Sequence, residues 1–341
     1  MARFTRVLFY QMSPFHISKG TDEYDLSASE ISSDMLSSAL AAIRAGEGRT
    51  TDIASFLSSF TLSSAFPYCS GHYFLPRLEG RINVEIEGLD ENVYRKQLKH
   101  VKYIESQLWE KLVSSPEKVK IDSSQICGEY LLGGVDKNFQ KPITFITSQR
   151  VCVPREGQGE SDPFYFEWCF VRSPKASESE QTTRQELEAG IYCLLYCPDE
   201  QKTELLDLFT KLGEEGFGSD KNIGGGHFKV KEENLEMDSQ PDCNAQVLLS
   251  SYIPTHEELQ GICLEKSRYQ IQERGGFMSG SSEEQFRHLR KKSVYVFQAG
   301  SVLCSDLALK GQIVNLAPVW NDKKMHPVYR SGRAFSVGIK I

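Results

Sequence analysis

No apolar run in this 341-residue chain reaches the ~20 residues that a membrane helix needs. The opening, MARFTRVLFYQMSPFH, has too short an apolar stretch for a signal peptide and no small-residue cleavage site. It reads as a first strand, and a soluble, cytoplasmic protein without a membrane role is expected. Cysteine is present, nine residues of it, but no C-x-x-C pair occurs. The closest two, Cys193 and Cys197, sit in an apolar run where an even offset puts both on one strand face. Reduced, buried cysteine is expected, with no zinc site, no other metal and no cofactor. H-E-x-x-H, G-x-S-x-G and EF-hand loops are all absent. Positive charge is in deficit, with 39 Lys/Arg against 46 Asp/Glu. That excludes a uniformly basic nucleic-acid binder.

The chain is otherwise ordinary globular material, 40% hydrophobic and 25% charged, and its length suggests about two domains of roughly 150 residues. Its charge is unevenly placed. Residues 286–341 hold ten Lys/Arg and two acids, a local surplus of eight, which leaves −15 for the remainder of a chain whose net charge is −7. A surface divided this way can hold an anion on one side and a basic partner on the other.

Residues 3–10, RFTRVLFY, look like a strand, and 27–46 carry Leu36, Leu40 and Ile43 at helical spacing. A second helix is expected at 52–60. Residues 90–113 repeat apolar residues every three or four positions and predict the longest helix. Strands are expected at 143–153, 164–171 and 191–197, with 173–188 a polar connection. A helix opens at Asp199 and is expected to end at Gly213. After it come a glycine-rich loop and a short strand, FKVK. Residues 232–243 read as an acidic linker. The remainder has strand-like runs at 246–252, 293–297 and 312–319, and a last alternating strand with Phe335, Val337 and Ile339 on one face. The first part therefore has the order of a ferredoxin-like unit with large insertions, and the whole predicts an α+β fold of two packed domains.

The strongest local signal is LGEEGFGSDKNIGGGHF at 212–228, with six glycines from Gly213 to Gly226. It is no Walker A loop, since no G-K-[ST] follows, and no Rossmann fingerprint, since it follows a helix and precedes a strand. Two or three glycines serve a turn, so six favour a close approach to a ligand. Exposed amides of Gly224, Gly225 and Gly226 would then cradle an anion, with Lys221, Asn222 and His227 adding donors. Asp220 in the same loop would order the turn or bind a donor.

Three further places carry suitable residues. The first connection, MSPFHIS, has His16, Ser18 and Lys19, and is expected to lie beside the helix N-terminus with Ser32 and Ser33. His16 reads either as a general base or as a donor to phosphate or a base edge. In QRVCVPREGQGESDPFYF, Arg150 and Arg155 bracket a strand, and Tyr165 opposes Phe164 and Phe166 by alternation. Such a hairpin can clamp a nucleic-acid backbone or simply face the core. HPVYRSGRAF at 326–335 places Arg330 before the final strand, for phosphate contact or as a sheet cap.

Eight blocks occur in order along the chain: ISSDMLSSAL, FLSSFTLSSAFPYCSGHYFLPR, TSQRVCVPR, LGEEGFGSDKNIGGGHF, LLSSYIPTHEEL, QERGGF, RKKSVYVFQAGS and HPVYRSGRAF. Together they resemble the RAMP-superfamily subunit of type III-A CRISPR (Csm) effector complexes that holds the 5′ end of the guide RNA. The resemblance implies two ferredoxin-like RAMP domains, 1–240 and 241–341, with the glycine-rich loop at 213–226 and a thumb-like β-hairpin inserted at about 150–188. It implies a non-catalytic role in antiviral defence. The subunit would bind the repeat-derived 5′ tag of crRNA and contact the large palm-domain, polymerase-like subunit. It would also touch the backbone RAMP subunit that cleaves target RNA, and through it the target RNA indirectly. The sequence departs from the family pattern at Pro154, where an acid is usual, and at Lys221, where an arginine often stands. Lysine keeps the charge but loses the bidentate fork. The competing expectation is a RAMP endoribonuclease that processes precursor crRNA with His16 as general acid or base.

Overall fold

The computed structural model describes residues 2–19, 25–80, 82–87, 90–151, 163–171, 189–237, 243–278, 280–305 and 307–340. The fold mixes α and β throughout. Its main sheet starts from β1 (Ala2–Tyr10). On the other side of two helices, α1 (Ser33–Gly46) and α2 (Ile53–Ser58), come β2 (Phe66–Cys69) and β3 (His72–Pro76). A long excursion follows: α3 (Glu91–Leu98), β4 (Tyr103–Glu105), α4 (Ser106–Ser114) and a hairpin of β5 (Ile143–Val151) with β6 (Pro163–Val171). The chain returns through β7 (Ala189–Tyr196), α5 (Asp199–Glu215) and β8 (Lys229–Met237). The sheet order is β8-β1-β7-β2-β3-β4, extended by two short strands. Among these six, adjacent strands run antiparallel, and β4 pairs in parallel with the short strand Tyr130–Leu131.

Successive side chains on a strand point to opposite faces, and both faces of this sheet are covered. Val7 and Phe9 of β1, with Ile191, Cys193 and Leu195 of β7, pack under α1 and α5. Leu8, Tyr192 and Leu194 point the other way, into a core shared with α4 and with Ala245, Val247 and Ile339 of the C-terminal part. Positions 189–195 are all buried, which explains why they read as an unbroken apolar run rather than an alternating one.

The C-terminal part is built on β9 (Ala245–Leu248), flanked by β10 (Val302–Leu303) and β11 (Ser336–Ile339). Phe335 and Ile339 are buried and Val337 packs against the same core, as the alternation predicted. None of the described cysteines forms a disulfide, and Cys169 and Cys193 are buried in the core. Among the described residues no helix is long and apolar enough to cross a membrane.

Three local expectations are corrected. The helix predicted across 90–113 is two helices with β4 between them. Tyr103–Glu105 pairs with β3, so the sheet edge takes backbone that helical spacing alone assigned to a helix. The linker predicted from residue 232 begins later, because β8 pairs with β1 over its whole length, from Tyr10 opposite Lys229 to Ala2 opposite Met237. An edge strand tolerates such a polar sequence because its outer side is solvated. Last, α5 runs past Gly213 to Glu215. Gly213 lies against β8, where a Cβ would run into the Phe228 carbonyl oxygen.

Candidate nucleic-acid interface

The glycine-rich crossover leaves α5 at Gly216 and enters β8 at Lys229. Its glycines serve its own packing first. Gly226 has φ of 72°, and a Cβ there would strike the Phe217 carbonyl; at Gly218 a Cβ would strike the His16 carbonyl. The amides are also spoken for. Ile223 and Gly225 donate to the Asp220 carbonyl, Gly224 to Lys221, Gly226 to Pro14, His227 to the Ser13 hydroxyl and Phe228 to Gly213. The expected cradle of exposed glycine amides is therefore corrected: at Gly224, Gly225 and Gly226 the N–H groups hold the loop together. Ser13 completes the closure by donating its hydroxyl to the Gly224 carbonyl at 2.8 Å.

What the crossover offers outward is its tip. Lys221–Ile223 form a single 3₁₀ turn, bounded by left-handed residues at Asp220 (φ 57°) and Gly224 (φ 94°). Lys221, Asn222, Ile223 and Gly224 are exposed, Ile223 at 71%. Gly225 and Gly226 are buried behind them, and His227 is half-buried. The turn thus presents an ammonium, an amide and an apolar side chain on a closed, fixed base. Ile223 was not singled out in the sequence; an apolar residue inside a polar turn is the one signal that could have marked it.

The hairpin β5–β6 docks on this crossover. Arg150 donates from Nη1 to Asp220 Oδ2 at 2.7 Å, and its guanidinium lies 4.0 Å from the Phe166 ring centroid and 5.0 Å from that of Trp168. The hairpin register sets this up. Arg150 opposes Phe164, Ser148 opposes Phe166 and Ile146 opposes Trp168, so all six share one face. Tyr165, opposite Gln149, takes the other face and is 62% exposed. Arg155 and most of the expected 150–188 thumb lie outside the described residues.

His16 belongs to the same cluster but not to its surface. It is 2% exposed, stacks on Phe166 with ring centroids 4.1 Å apart, and donates from Nδ1 to the Glu167 carbonyl at 2.7 Å. Its own carbonyl accepts from the Ser219 amide. Ser18 and Lys19 emerge beyond it as exposed residues, with the Lys19 ammonium 5.9 Å from the Phe145 ring. Phe145 lies on the Tyr165 face of the hairpin.

Ser32, Ser33 and Arg330 form a second group, which is an interior joint. Ser33 is buried and its hydroxyl accepts from the Ser251 amide at 2.8 Å. Asp34 is fully buried; its carboxylate takes the Ser251 hydroxyl, the Arg330 guanidinium and, at 3.4 Å, Arg274 Nε. Arg274 also donates to the Ser32 hydroxyl at 3.0 Å. Burial alone would raise the Asp34 carboxyl pKa, but Arg274 and Arg330, helped by the Ser32 and Ser251 hydroxyls, hold it below its ordinary value. Burial likewise depresses the Lys291 ammonium, as does neighbouring Arg330. The helix N-terminus expected to meet a phosphate meets the C-terminal part of this chain instead. Sequence reading missed Arg274, which sits in QERGGF with no local feature to distinguish it. Among the described residues no group of three or more His, Cys, Asp or Glu is placed to hold a metal.

Residues 242–339 match the family model of the CRISPR Csm4 C-terminal domain. The chain is similar to the CRISPR system Cms protein Csm4 of Thermococcus onnurineus (strain NA1), with 22% identity over 318 residues, 90% of this chain and 89% of that protein. Its fold is similar to that of a chain in the crystal structure of a Csm1–Csm4 cassette in complex with cA4. The TM-score there is 0.60, with 18% identity over 100% of this chain and 99% of that one. It is also similar to a chain in the Csm3–Csm4 subcomplex of the type III-A CRISPR-Cas interference complex, with a TM-score of 0.58 and 15% identity over 99% and 100%. At these identities the structural likeness is one of fold.

Proposed function

We propose that this chain, which matches the Csm4 C-terminal domain model over residues 242–339 and is similar in fold to Csm4, is a RAMP-type subunit of a type III-A Csm effector, the non-catalytic member that grips the crRNA 5′ tag. The observation that carries this reading is the pairing of an exposed Lys221–Gly224 tip with the Arg150–Tyr165 hairpin beside it. Single-stranded RNA is held by basic groups along its backbone and by stacking surfaces for its bases. Lys221, Arg150 and Lys19 supply the first, and Tyr165 and Phe164, 62% and 45% exposed, supply the second. The hairpin is the thumb in this reading.

The antiparallel order β8-β1-β7-β2, with α1 and α5 on one face, supports a ferredoxin-like first domain; the second RAMP domain would begin near residue 241. The solved relatives were crystallised as Csm1–Csm4 and Csm3–Csm4 assemblies. By analogy this chain anchors the large palm-domain subunit and the first backbone RAMP subunit, and meets target RNA only indirectly, in the cytoplasm. The burial of His16 supports a non-enzymatic role, because a general acid or base must reach the proton it transfers and His16 spends Nδ1 on a backbone carbonyl.

Co-purification from cells expressing the whole effector tests the proposal. A tagged copy of this chain should bring down a large subunit, a backbone subunit and a short RNA with one defined 5′ end. Replacing Lys221 and Asn222 by Ala should lower the RNA yield while the protein partners stay. Full RNA retention in that variant and in Arg150→Gln would reject the grip.

A further inference from the structure

The Arg150–Asp220 contact has features that a plain surface ion pair does not need. Arg150 cannot swing freely, because its guanidinium lies over two aromatic rings, Phe166 and Trp168. Asp220 is equally fixed. It adopts a left-handed conformation, and its carbonyl accepts from the amides of Ile223 and Gly225. The two side chains remain partly open to solvent, at 27% and 24%. They sit directly behind the tip that carries Lys221 and Asn222. An immobilised arginine on an aromatic shelf is a ready-made phosphate receptor, and a carboxylate presents much the same pair of acceptor oxygens to it.

We infer that Asp220 is an internal stand-in for phosphate: it occupies the Arg150 guanidinium edge that an RNA phosphate takes when the strand lies along the crossover. The inference rests on the RNA-grip reading above and adds a residue to it. Asp220 is a positioning residue with an inhibitory charge. It keeps Arg150 stacked and pointing at the crossover, and it sets a threshold that an incoming phosphate must exceed. Bare counter-ions and stray carboxylates compete poorly against a fixed intramolecular partner. A polyanion that also engages Lys221 and Lys19 gains from several contacts together.

The position also explains why an aspartate is used. Left-handed backbone is tolerated by Asp, Asn and Gly far better than by other residues. Asn or Gly would satisfy the turn equally well, so the carboxylate itself needs a separate reason, and Arg150 is what it faces.

The test uses the full chain with a fluorescently labelled, repeat-derived RNA oligonucleotide, titrated across salt concentrations. Asp220→Asn keeps the left-handed turn and an acceptor for Arg150 and removes only the charge. It is expected to bind roughly two- to fivefold tighter at low salt, the range of one exposed ion pair. The log–log salt slope should steepen by up to about 0.7, one further phosphate on a single strand. Arg150→Gln should weaken binding, and in the double variant the gain from Asp220→Asn should vanish. Unchanged or weaker binding by Asp220→Asn, while Arg150→Gln and Lys221→Ala still weaken it, overturns the inference and leaves the RNA grip standing. A gain that persists without Arg150 also overturns it, since the effect would then be general charge. Indifference to all of these variants removes the grip itself. Thermal unfolding midpoints within error of the parent confirm that folding is not the variable.

Discussion

Arg330, eleven residues from the end of the chain, donates to the carboxylate of Asp34 in the first turn of α1, and that carboxylate has no solvent exposure at all. The contact ties the C-terminal part to the first helix of the main sheet. Removing one member of a buried ion cluster leaves the others desolvated and uncompensated. Asp34→Ala should therefore destabilise the chain by about 3–5 kcal/mol, read as a lower urea midpoint. A loss below about 1 kcal/mol would mean that water reaches Arg274 and Arg330.

The same pair sets a pH dependence. An unfolded aspartate titrates near about 3.9, and Asp34 is held lower in the folded chain. Its contribution is complete above the unfolded value and is lost as pH falls through the lower, folded one. Stability measured from pH 6 downward should fall below about pH 4, and Asp34→Asn should flatten that part of the curve. An equally steep decline in Asp34→Asn would assign the acid sensitivity to other carboxylates.

Within the crossover, Gly226→Ala should cost more than Gly224→Ala. Both positions have positive φ, which costs an alanine about 1–2 kcal/mol. At Gly226 the methyl group also meets the Phe217 carbonyl, whereas at Gly224 it enters open space. Urea unfolding ranks the two, and equal midpoints would mean that Phe217 moves aside.

Thiol alkylation at pH 8 should divide the cysteines by burial. Burial pushes the Cys169 thiol up to about 12 and raises that of Cys193 further still, so both stay protonated and covered. Cys243 and Cys263 are exposed and should label first. Mass spectrometry of partially labelled native protein checks this. Early modification of Cys193 would require β7 to open.

Some of this was readable without coordinates. The apolar runs of β1 and β7 named two strands, and helical spacing at Leu36, Leu40 and Ile43 named α1. The 90–113 segment misled because Val101 and Tyr103 fit a helical pattern and a strand pattern alike, and pairing with β3 decided between them. The glycine-rich crossover was located correctly, but the reason for its glycines was not. Their density reflects carbonyls of Phe217 and His16 lying against the loop, one of them contributed from about two hundred residues away. Arg330 was singled out for phosphate and is instead held by Asp34, a partner that no local pattern announces.

The order of apolar and polar residues by itself settled the mixed α and β class of fold, the strands β1 and β7 and the place of the glycine-rich turn. Those features depend on spacing along the chain, which is written in the primary structure. Which charges face solvent and which neutralise one another was decided only by folding. Asp34, Arg274 and Arg330, or Arg150 and Asp220, meet because distant segments pack together. The strength of each charge then depends on how much water that packing removes.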